Sequence, residues 1–168
     1  MKFMYQQKGM GLVEVLVALL ILAIGVMGFI ALQYRAVEAT AESFNRVKAI
    51  NIARDLAERM RVNRGASNVY AFHLTNAQQQ SAFKVNCFNE SCSSADLADF
   101  DVAQLSNQAR SQGMSINYLP CQGNKDERQC IYIAWNDTAP TNGDLKEGNC
   151  TSGNVYDPDS TCLIMEVY

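Results

Sequence analysis

The distribution of apolar residues along the chain changes abruptly near residue 33. Val15 to Leu32 are 18 consecutive residues without a charge or a strongly polar group. As a helix rising ~1.5 Å per residue, this run spans roughly 27 Å, close to the ~30 Å hydrocarbon core of a bilayer. The preceding residues, MKFMYQQKG, carry Lys2 and Lys8 and no acid. By the positive-inside rule, this basic leader is expected in the cytoplasm and the rest of the chain beyond the membrane.

The helix is predicted to continue past the apolar run. From Gln33 to Asn63 there is no Pro or Gly, and good helix formers are abundant. Several apolar residues recur at helical spacing and predict a face that buries against a globular domain: Tyr34, Val37, Ala41, Phe44, Ile52 and Leu56. Gly65 is expected to end the helix in the left-handed conformation.

The remainder of the chain, residues 65–168, has the pattern of an α+β head. A helix is predicted from Ala95 to Gln112, with Ser93 or Ser94 as its N-cap and Gly113 as its stop. Three segments rich in Ile, Val and Tyr are predicted strands: Ser115 to Leu119, Ile131 to Trp135, and Leu163 to Val167. The first two are expected to form a hairpin tied by Cys121 and Cys130.

All the cysteines lie in the C-terminal half. Their even number, behind an N-terminal membrane signal, favours disulfides in an oxidising compartment. A zinc site is a weaker interpretation because His73 is the only histidine and no Cys-x-x-Cys pair occurs. Six cysteines allow fifteen pairings. Pairing of sequence neighbours closes the shortest loops and is the simplest hypothesis: Cys87–Cys92, Cys121–Cys130 and Cys150–Cys162.

Glu14 stands at the start of the apolar run, where an ordinary signal sequence has no acid. A carboxylate in or near hydrocarbon costs roughly 2.5 to 3.5 kcal/mol, so it normally has a partner or a purpose. One interpretation is a carboxylate that reaches the lipid headgroups. The other is a charge held for pairing with a positive group on a neighbouring subunit.

These N-terminal features resemble the class III signal of type IV prepilins: a short basic leader ending in Gly9, a Glu at the fifth position after it, and a long apolar helix. The resemblance implies that prepilin peptidase cuts between Gly9 and Met10 and methylates the new amino terminus of Met10. It also implies that Glu14 pairs with the N-terminal amine of an adjacent subunit. Met10 and Gly11 replace the Phe and Thr of most major pilins, a change that minor pilins tolerate.

The resemblance implies an α+β type IV pilin fold, in which a long N-terminal helix packs on a small antiparallel sheet with disulfides. Four segments are then expected. They are a cleaved leader (1–9), a membrane or filament-core half of the helix (10–33), an amphipathic half (34–64), and a disulfide-stapled head (65–168).

Two further stretches, ARDLAERMRVNR and IYIAWND, are similar to minor pilins of the PilV type, also called type IV pilus modification proteins. Cys87 and Cys92, followed by an Ala-Asp-Leu helix, are similar as well. This resemblance implies a subunit that primes pilus assembly near the tip and so supports twitching motility and adhesion. The implied partners are prepilin peptidase, other minor pilins, the major pilin and a tip adhesin. The implied location is the inner membrane with the head in the periplasm, then the pilus on the cell surface.

Three alternatives remain open. Ala39-Thr40-Ala41 is a site where signal peptidase could cut a conventional secretory signal. The chain could instead be a minor pseudopilin of a type II secretion system. It could also be an adhesin or a DNA-uptake receptor displayed on a pilus.

Other functions find less support. His73 has no convincing nucleophile and acid to accompany it, and no phosphate loop, metal motif or cofactor motif is present, so no catalytic residue is assigned and no enzyme is expected. The net charge of -3 becomes more negative once Lys2 and Lys8 are removed with the leader. A negative charge argues against binding to nucleic acid. Two polar clusters have ordinary explanations. A solvated helix face explains the basic run Arg59, Arg61 and Arg64. A turn, rather than a calcium site, explains Asp157-Pro158-Asp159 near Asp144.

Overall fold

The structure is a computed structural model that describes residues 11–124, 126, 128–143 and 148–167. The leader and Met10, and therefore the expected Gly9–Met10 cut, lie outside the described residues. The chain divides into two compact units, one ending at Ser43 and the other beginning at Phe44.

Helix α1 (Leu12–Val62) is continuous for 51 residues, and it runs through the segment after Gln33 that lacks Pro and Gly, as predicted. Among the described residues of the first unit it is the only element, and every residue from Gly11 to Ala41 is exposed. The apolar run is long enough to cross a membrane, and none of it is buried within the protein.

In the second unit, α1 is followed by a short 3₁₀ turn (Arg64–Ala66), two further helices and, in the described residues, six strands. The helices are α2 (Ser67–Thr75) and α3 (Ser94–Ser111). The strands are β1 (Met114–Pro120), β2 (Gln129–Trp135), β3 (Ala139–Gly143), β4 (Asn149–Ser152), β5 (Val155–Tyr156) and β6 (Cys162–Val167).

Both ends of α3 follow from local sequence chemistry, and its predicted boundaries are confirmed to within one residue. Ser93 is the N-cap, and its Oγ accepts a hydrogen bond from the Asp96 amide at 3.2 Å. The Asp96 carboxylate accepts in return from the Ser93 amide at 3.4 Å, which completes a capping box. Gly113, at φ +73°, begins the exit toward β1.

The main sheet is antiparallel in the order β1-β2-β6, and the three predicted strands and the β1–β2 hairpin are confirmed. Alternate residues of β2 point to opposite faces of the sheet. Ile131, Ile133 and Trp135 belong to the main core, whereas Tyr132 and Ala134 belong to a second cluster with cysteines. The central strand is therefore buried on both faces.

The main core joins the end of α1 to the head. The residues of α1 that it buries are Ala49, Ile52, Ala53 and Leu56. They cluster with Tyr70 and Leu74 of α2, with Val102 and Leu105 of α3, and with the inward residues of β1 and β2. The expected pilin-like architecture is confirmed: a long N-terminal helix packs on a small antiparallel sheet, with disulfides.

Two expectations about α1 are wrong in part. Ile52 and Leu56 are buried, but Tyr34, Val37 and Phe44 remain more than half exposed, and Ala41 is exposed as well. Helical spacing placed these residues on one face, yet within the single chain burial starts only at Ala49. Gly65 is not left-handed; it lies in the 3₁₀ turn. The chain continues into α2 because Ala66, Tyr70 and Leu74 supply apolar side chains to the core.

Two elements were not anticipated from sequence. One is α2. The other is a second sheet in the order β3-β4-β5, with β3 and β4 parallel and β4 and β5 antiparallel. β3 and β4 are short and polar and β5 has only two residues, so these strands lack the apolar alternation that identifies a strand in sequence.

Candidate functional site

The assembly residue expected from sequence, Glu14, lies in the first turn of α1. The Glu14 amide donates to the Gly11 carbonyl at 2.9 Å, so helical hydrogen bonding begins immediately before the apolar run. The side chain is exposed. A carboxylate in the first turn also interacts favourably with the partial positive charge of the helix N-terminus. Glu14 is thus presented on an ordered helix end and is available to a group outside this chain.

The apolar half of α1 forms an extended exposed hydrophobic surface. Its large side chains range from 43% exposed at Val15 to 77% exposed at Leu12. Soluble monomers rarely expose contiguous apolar patches of more than a few hundred Å². This surface therefore requires a covering medium, such as lipid or the apolar helices of other subunits.

Near the other end of α1, Arg59 forms a partly buried ion-pair network. Its guanidinium Nη1 contacts Asp101 Oδ1 and Gln104 Oε1, each at 2.7 Å. Its Nε donates to Asp55 Oδ1 at 2.8 Å. The Tyr70 hydroxyl donates to the other Asp101 oxygen at 2.6 Å. Burial and this carboxylate raise the pKa of Tyr70 well above its usual value. The network joins α1, α2 and α3.

The network corrects the expectation that the arginine run is a solvated face. That description suits Arg61 and Arg64, which are exposed. It does not suit Arg59, because the Asp101 carboxylate is only 8% exposed and Arg59 neutralises its charge. A buried charge is tolerated when it is paired and hydrogen-bonded.

Replacing Arg59 with alanine is expected to lower the free energy of unfolding by about 2–3 kcal/mol, because the buried Asp101 carboxylate loses its cationic partner. Unfolding can be followed in denaturant by the fluorescence of Trp135, the only tryptophan, which is 2% exposed. The control is Arg61→Ala, whose exposed pair with Glu58 at 3.8 Å should be worth less than ~0.5 kcal/mol. Equal losses in the two variants would contradict a stabilising role for the network.

Three disulfides join nearest neighbours in sequence: Cys87–Cys92, Cys121–Cys130 and Cys150–Cys162. The second closes the β1–β2 hairpin, and the third joins β4 of the second sheet to β6 of the main sheet. The first closes a short loop before α3. Such cross-links stabilise a small head chiefly by restricting the unfolded chain.

A pocket of about 340 Å³ lies between α2, the segment that follows it, and α3. Phe72 and Phe83 line it and are 55% and 43% exposed. His73 and Asp99 also line it, with Nδ1 of the imidazole 3.4 Å from Oδ1 of the carboxylate. This Nδ1 is buried and makes no hydrogen bond within the described part of the chain. We call this site the aromatic pocket.

The aromatic pocket gives His73 a neighbourhood that the sequence did not indicate. His73 and Asp99 are brought together by the packing of α2 on α3. The only sequence signal was the placement of Asp99 and Asp101 beside buried apolar residues of an amphipathic helix. Buried acids need partners, but the sequence does not indicate which residues those partners are.

Asp157 and Asp159 line a different pocket, together with Asp137. Asp144, the third acid considered for calcium, lies outside the described residues. Over the described ranges, no group of three His, Cys, Asp or Glu residues is arranged to hold a metal ion. Backbone amides of this segment instead donate to Asp157, as in an ordinary turn: the Ser160 amide bonds to its carbonyl and the Asp159 amide to its carboxylate.

Comparison with known families gives two adjoining matches. The prokaryotic N-terminal methylation motif matches residues 4–30. The type IV pilin Tt1218 family matches residues 31–103, from the apolar half of α1 into α3. No curated protein and no solved structure matches the chain.

The two matches occur in the order that the fold requires, with the processing motif at the start of α1 and the pilin match across the part of α1 that packs on the head. The methylation motif implies processing by prepilin peptidase and assembly with other pilins. Together these matches cover residues 4–103, and over that range the chain carries the processing motif and the helix-to-head region of a type IV pilin.

Proposed function

We propose that this chain is a minor pilin that primes assembly of a type IV pilus, in a complex with other minor pilins near the tip. The observation that carries the proposal is a methylation motif that leads into an exposed apolar helix with Glu14 in its first turn. The role is structural: the apolar half of α1 supplies the assembly surface and the head supplies contacts to neighbouring subunits. No catalytic residue is assigned to it.

In this proposal, prepilin peptidase cuts between Gly9 and Met10, and Met10 becomes the methylated amino terminus. Before assembly, the helix anchors the chain in the inner membrane with its head in the periplasm. Afterwards the same apolar surface packs among the helices of other subunits, including the major pilin. Glu14 then pairs with the N-terminal amine of a neighbour, because an opposite charge stabilises a carboxylate that would otherwise be costly in an apolar core.

The minor role is supported by the resemblance of ARDLAERMRVNR and IYIAWND to pilins of the PilV type. The first stretch, residues 53–64, contains Leu56 and Arg59, which join α1 to the head. The second, residues 131–137, contains most of β2, the central strand of the main sheet. Both stretches therefore belong to the junction of helix and head, and a priming subunit would present that head to its partners.

Deleting the gene is expected to remove surface pili and twitching motility while protein secretion continues at its normal level. The measurements are electron microscopy of surface filaments, a twitching-zone assay and the amount of secreted enzyme in the medium. The matched control restores the gene on a plasmid. Loss of secretion with pili intact would overturn the proposal and support a pseudopilin of a type II secretion system instead.

A further inference from the structure

The aromatic pocket has the size and the mixed chemistry of a small-molecule site. Its volume of about 340 Å³ falls within the range of ligand pockets, ~300–1,000 Å³. It combines apolar ring surfaces with amide, imidazole and carboxylate groups. Nothing in the assembly of a filament through its apolar helix requires such a pocket in the head.

Two aromatic rings at this pocket are kept in contact with water. Phe83 is 43% exposed, although its ring packs edge to face on the buried Phe100 at a centroid distance of 5.0 Å. Phe72 is 55% exposed and packs edge to face on His73 at 5.4 Å. These contacts hold both rings in place. Fixed aromatic surface beside a cavity favours a ligand that itself has a flat apolar face.

The polar groups of the pocket have unused hydrogen-bonding capacity. The side-chain amides of Gln78 and Gln79 line the pocket and bond to no residue that the structure describes. The His73 Nδ1 likewise makes no hydrogen bond to any residue that the structure describes. A primary amide offers both donors and an acceptor, and an imidazole nitrogen offers one or the other. The pocket can therefore satisfy a ligand that carries several groups able both to donate and to accept.

The charges of the pocket do not select a charged ligand. Among the described residues that line it, Asp99 is the one acid, and Lys84 brings the opposite charge. One Asp99 oxygen is already engaged, because Oδ2 accepts a hydrogen bond from the Lys84 amide at 2.9 Å. The remaining oxygen, Oδ1, lies beside His73 and can accept from a hydroxyl group. A neutral ligand with hydroxyl groups around an apolar ring face matches this combination.

We propose that the aromatic pocket binds one neutral pyranose sugar. An apolar C–H face of the sugar packs on Phe83 and Phe72, and its hydroxyl groups bond to Gln78, Gln79 and Oδ1 of Asp99. This site does not depend on the priming role, because sugar binding is measured on the purified protein and priming is measured in cells.

The test uses the whole processed chain in a phosphocholine detergent, which has no sugar headgroup. The probes are glucose, galactose, mannose and N-acetylglucosamine, followed by saturation-transfer NMR and titration. At least one probe is expected to bind saturably, with the strongest transfer to its ring C–H protons. Phe83→Ala should weaken that binding roughly 2- to 12-fold, and Gln79→Ala, on an exposed turn, by a similar factor.

Phe88→Ala is the matched control. Phe88 also packs edge to face on Phe100, at 5.1 Å, and is 75% exposed, but it does not line the pocket. Its replacement should leave the affinity unchanged, which separates a stacking role of Phe83 from general loosening around Phe100. The proposal is overturned if none of the four sugars binds saturably. It is equally overturned if Phe88→Ala weakens binding as much as Phe83→Ala while Gln79→Ala has no effect.

Discussion

A Gly9→Val chain is expected to remain uncleaved, to keep its nine-residue leader and to be absent from pili. In the proposed processing, the peptidase cuts directly after Gly9. Because glycine has no side chain, the bond is unobstructed on that side. Valine adds a β-branched side chain that stiffens the backbone and crowds the scissile peptide. We expect near-complete loss of the product that begins with methylated Met10, measured by mass spectrometry of the intact membrane protein.

Gly11→Ala is the control for this prediction. Gly11 lies just beyond the proposed bond, and a Cβ placed there meets no atom of the non-adjacent described residues within 4 Å. Normal cleavage is therefore expected for this variant. Cleavage of a Gly9→Val chain after Ala41 would contradict the prepilin interpretation and support a conventional signal peptide. Residues 39–41 lie within continuous α1, where the Thr40 hydroxyl donates to the Ala36 carbonyl.

Glu14→Gln is expected to leave cleavage and membrane insertion intact and to lower incorporation into pili at least about tenfold. The amide has nearly the shape of the carboxylate but no charge, so it lacks the Coulombic attraction of an ion pair, which is strong where water is excluded. Insertion should not suffer, because an uncharged group is less costly than a carboxylate at the edge of the hydrocarbon. The measurement is the ratio of this protein in sheared pili to that in membranes.

The matched control for Glu14→Gln is Glu38→Gln, a change of the same charge on the same helix. Glu38 pairs with Arg35 at 3.1 Å on an exposed surface, and such pairs contribute little. Incorporation should be unchanged in this variant. Equal incorporation of the Glu14→Gln chain and the unmodified chain would show that Glu14 merely reaches the lipid headgroups. Equal loss in both variants would point to a general effect of acidic charge on α1.

Much of the fold could be predicted because it follows from local rules. The absence of Pro and Gly after Gln33 predicted that α1 continues beyond its apolar half, and Ser93 with Asp96 gave α3 its capped start. The three apolar strands were recognisable because their β-branched and aromatic residues suit a buried sheet. The second sheet escaped prediction because β3 and β4 are short and polar and are held by pairings with other segments.

The candidate sites divide along the same line. Gly9, Met10 and Glu14 stay predictions made from sequence alone, since peptidase recognition and membrane insertion act on a short contiguous stretch. Arg59 was assigned to a solvated face because its decisive partners, Asp101 and Tyr70, come from other helices. The aromatic pocket gathers Phe72, Phe83 and Asp99 from separate segments, and no spacing rule connects them.

By itself, the sequence determined the apolar half of the N-terminal helix, with its basic leader and its single acid, and the helix, strands and cysteines of the head. These features depend on hydropathy, helix propensity and capping, which act over a few neighbouring residues. Only the tertiary structure decided that burial of α1 begins at Ala49, that Arg59 neutralises a buried carboxylate, and that a pocket forms between α2 and α3. The reason is physical: burial and charge pairing depend on which distant segments come into contact, and those contacts exist only in the folded head.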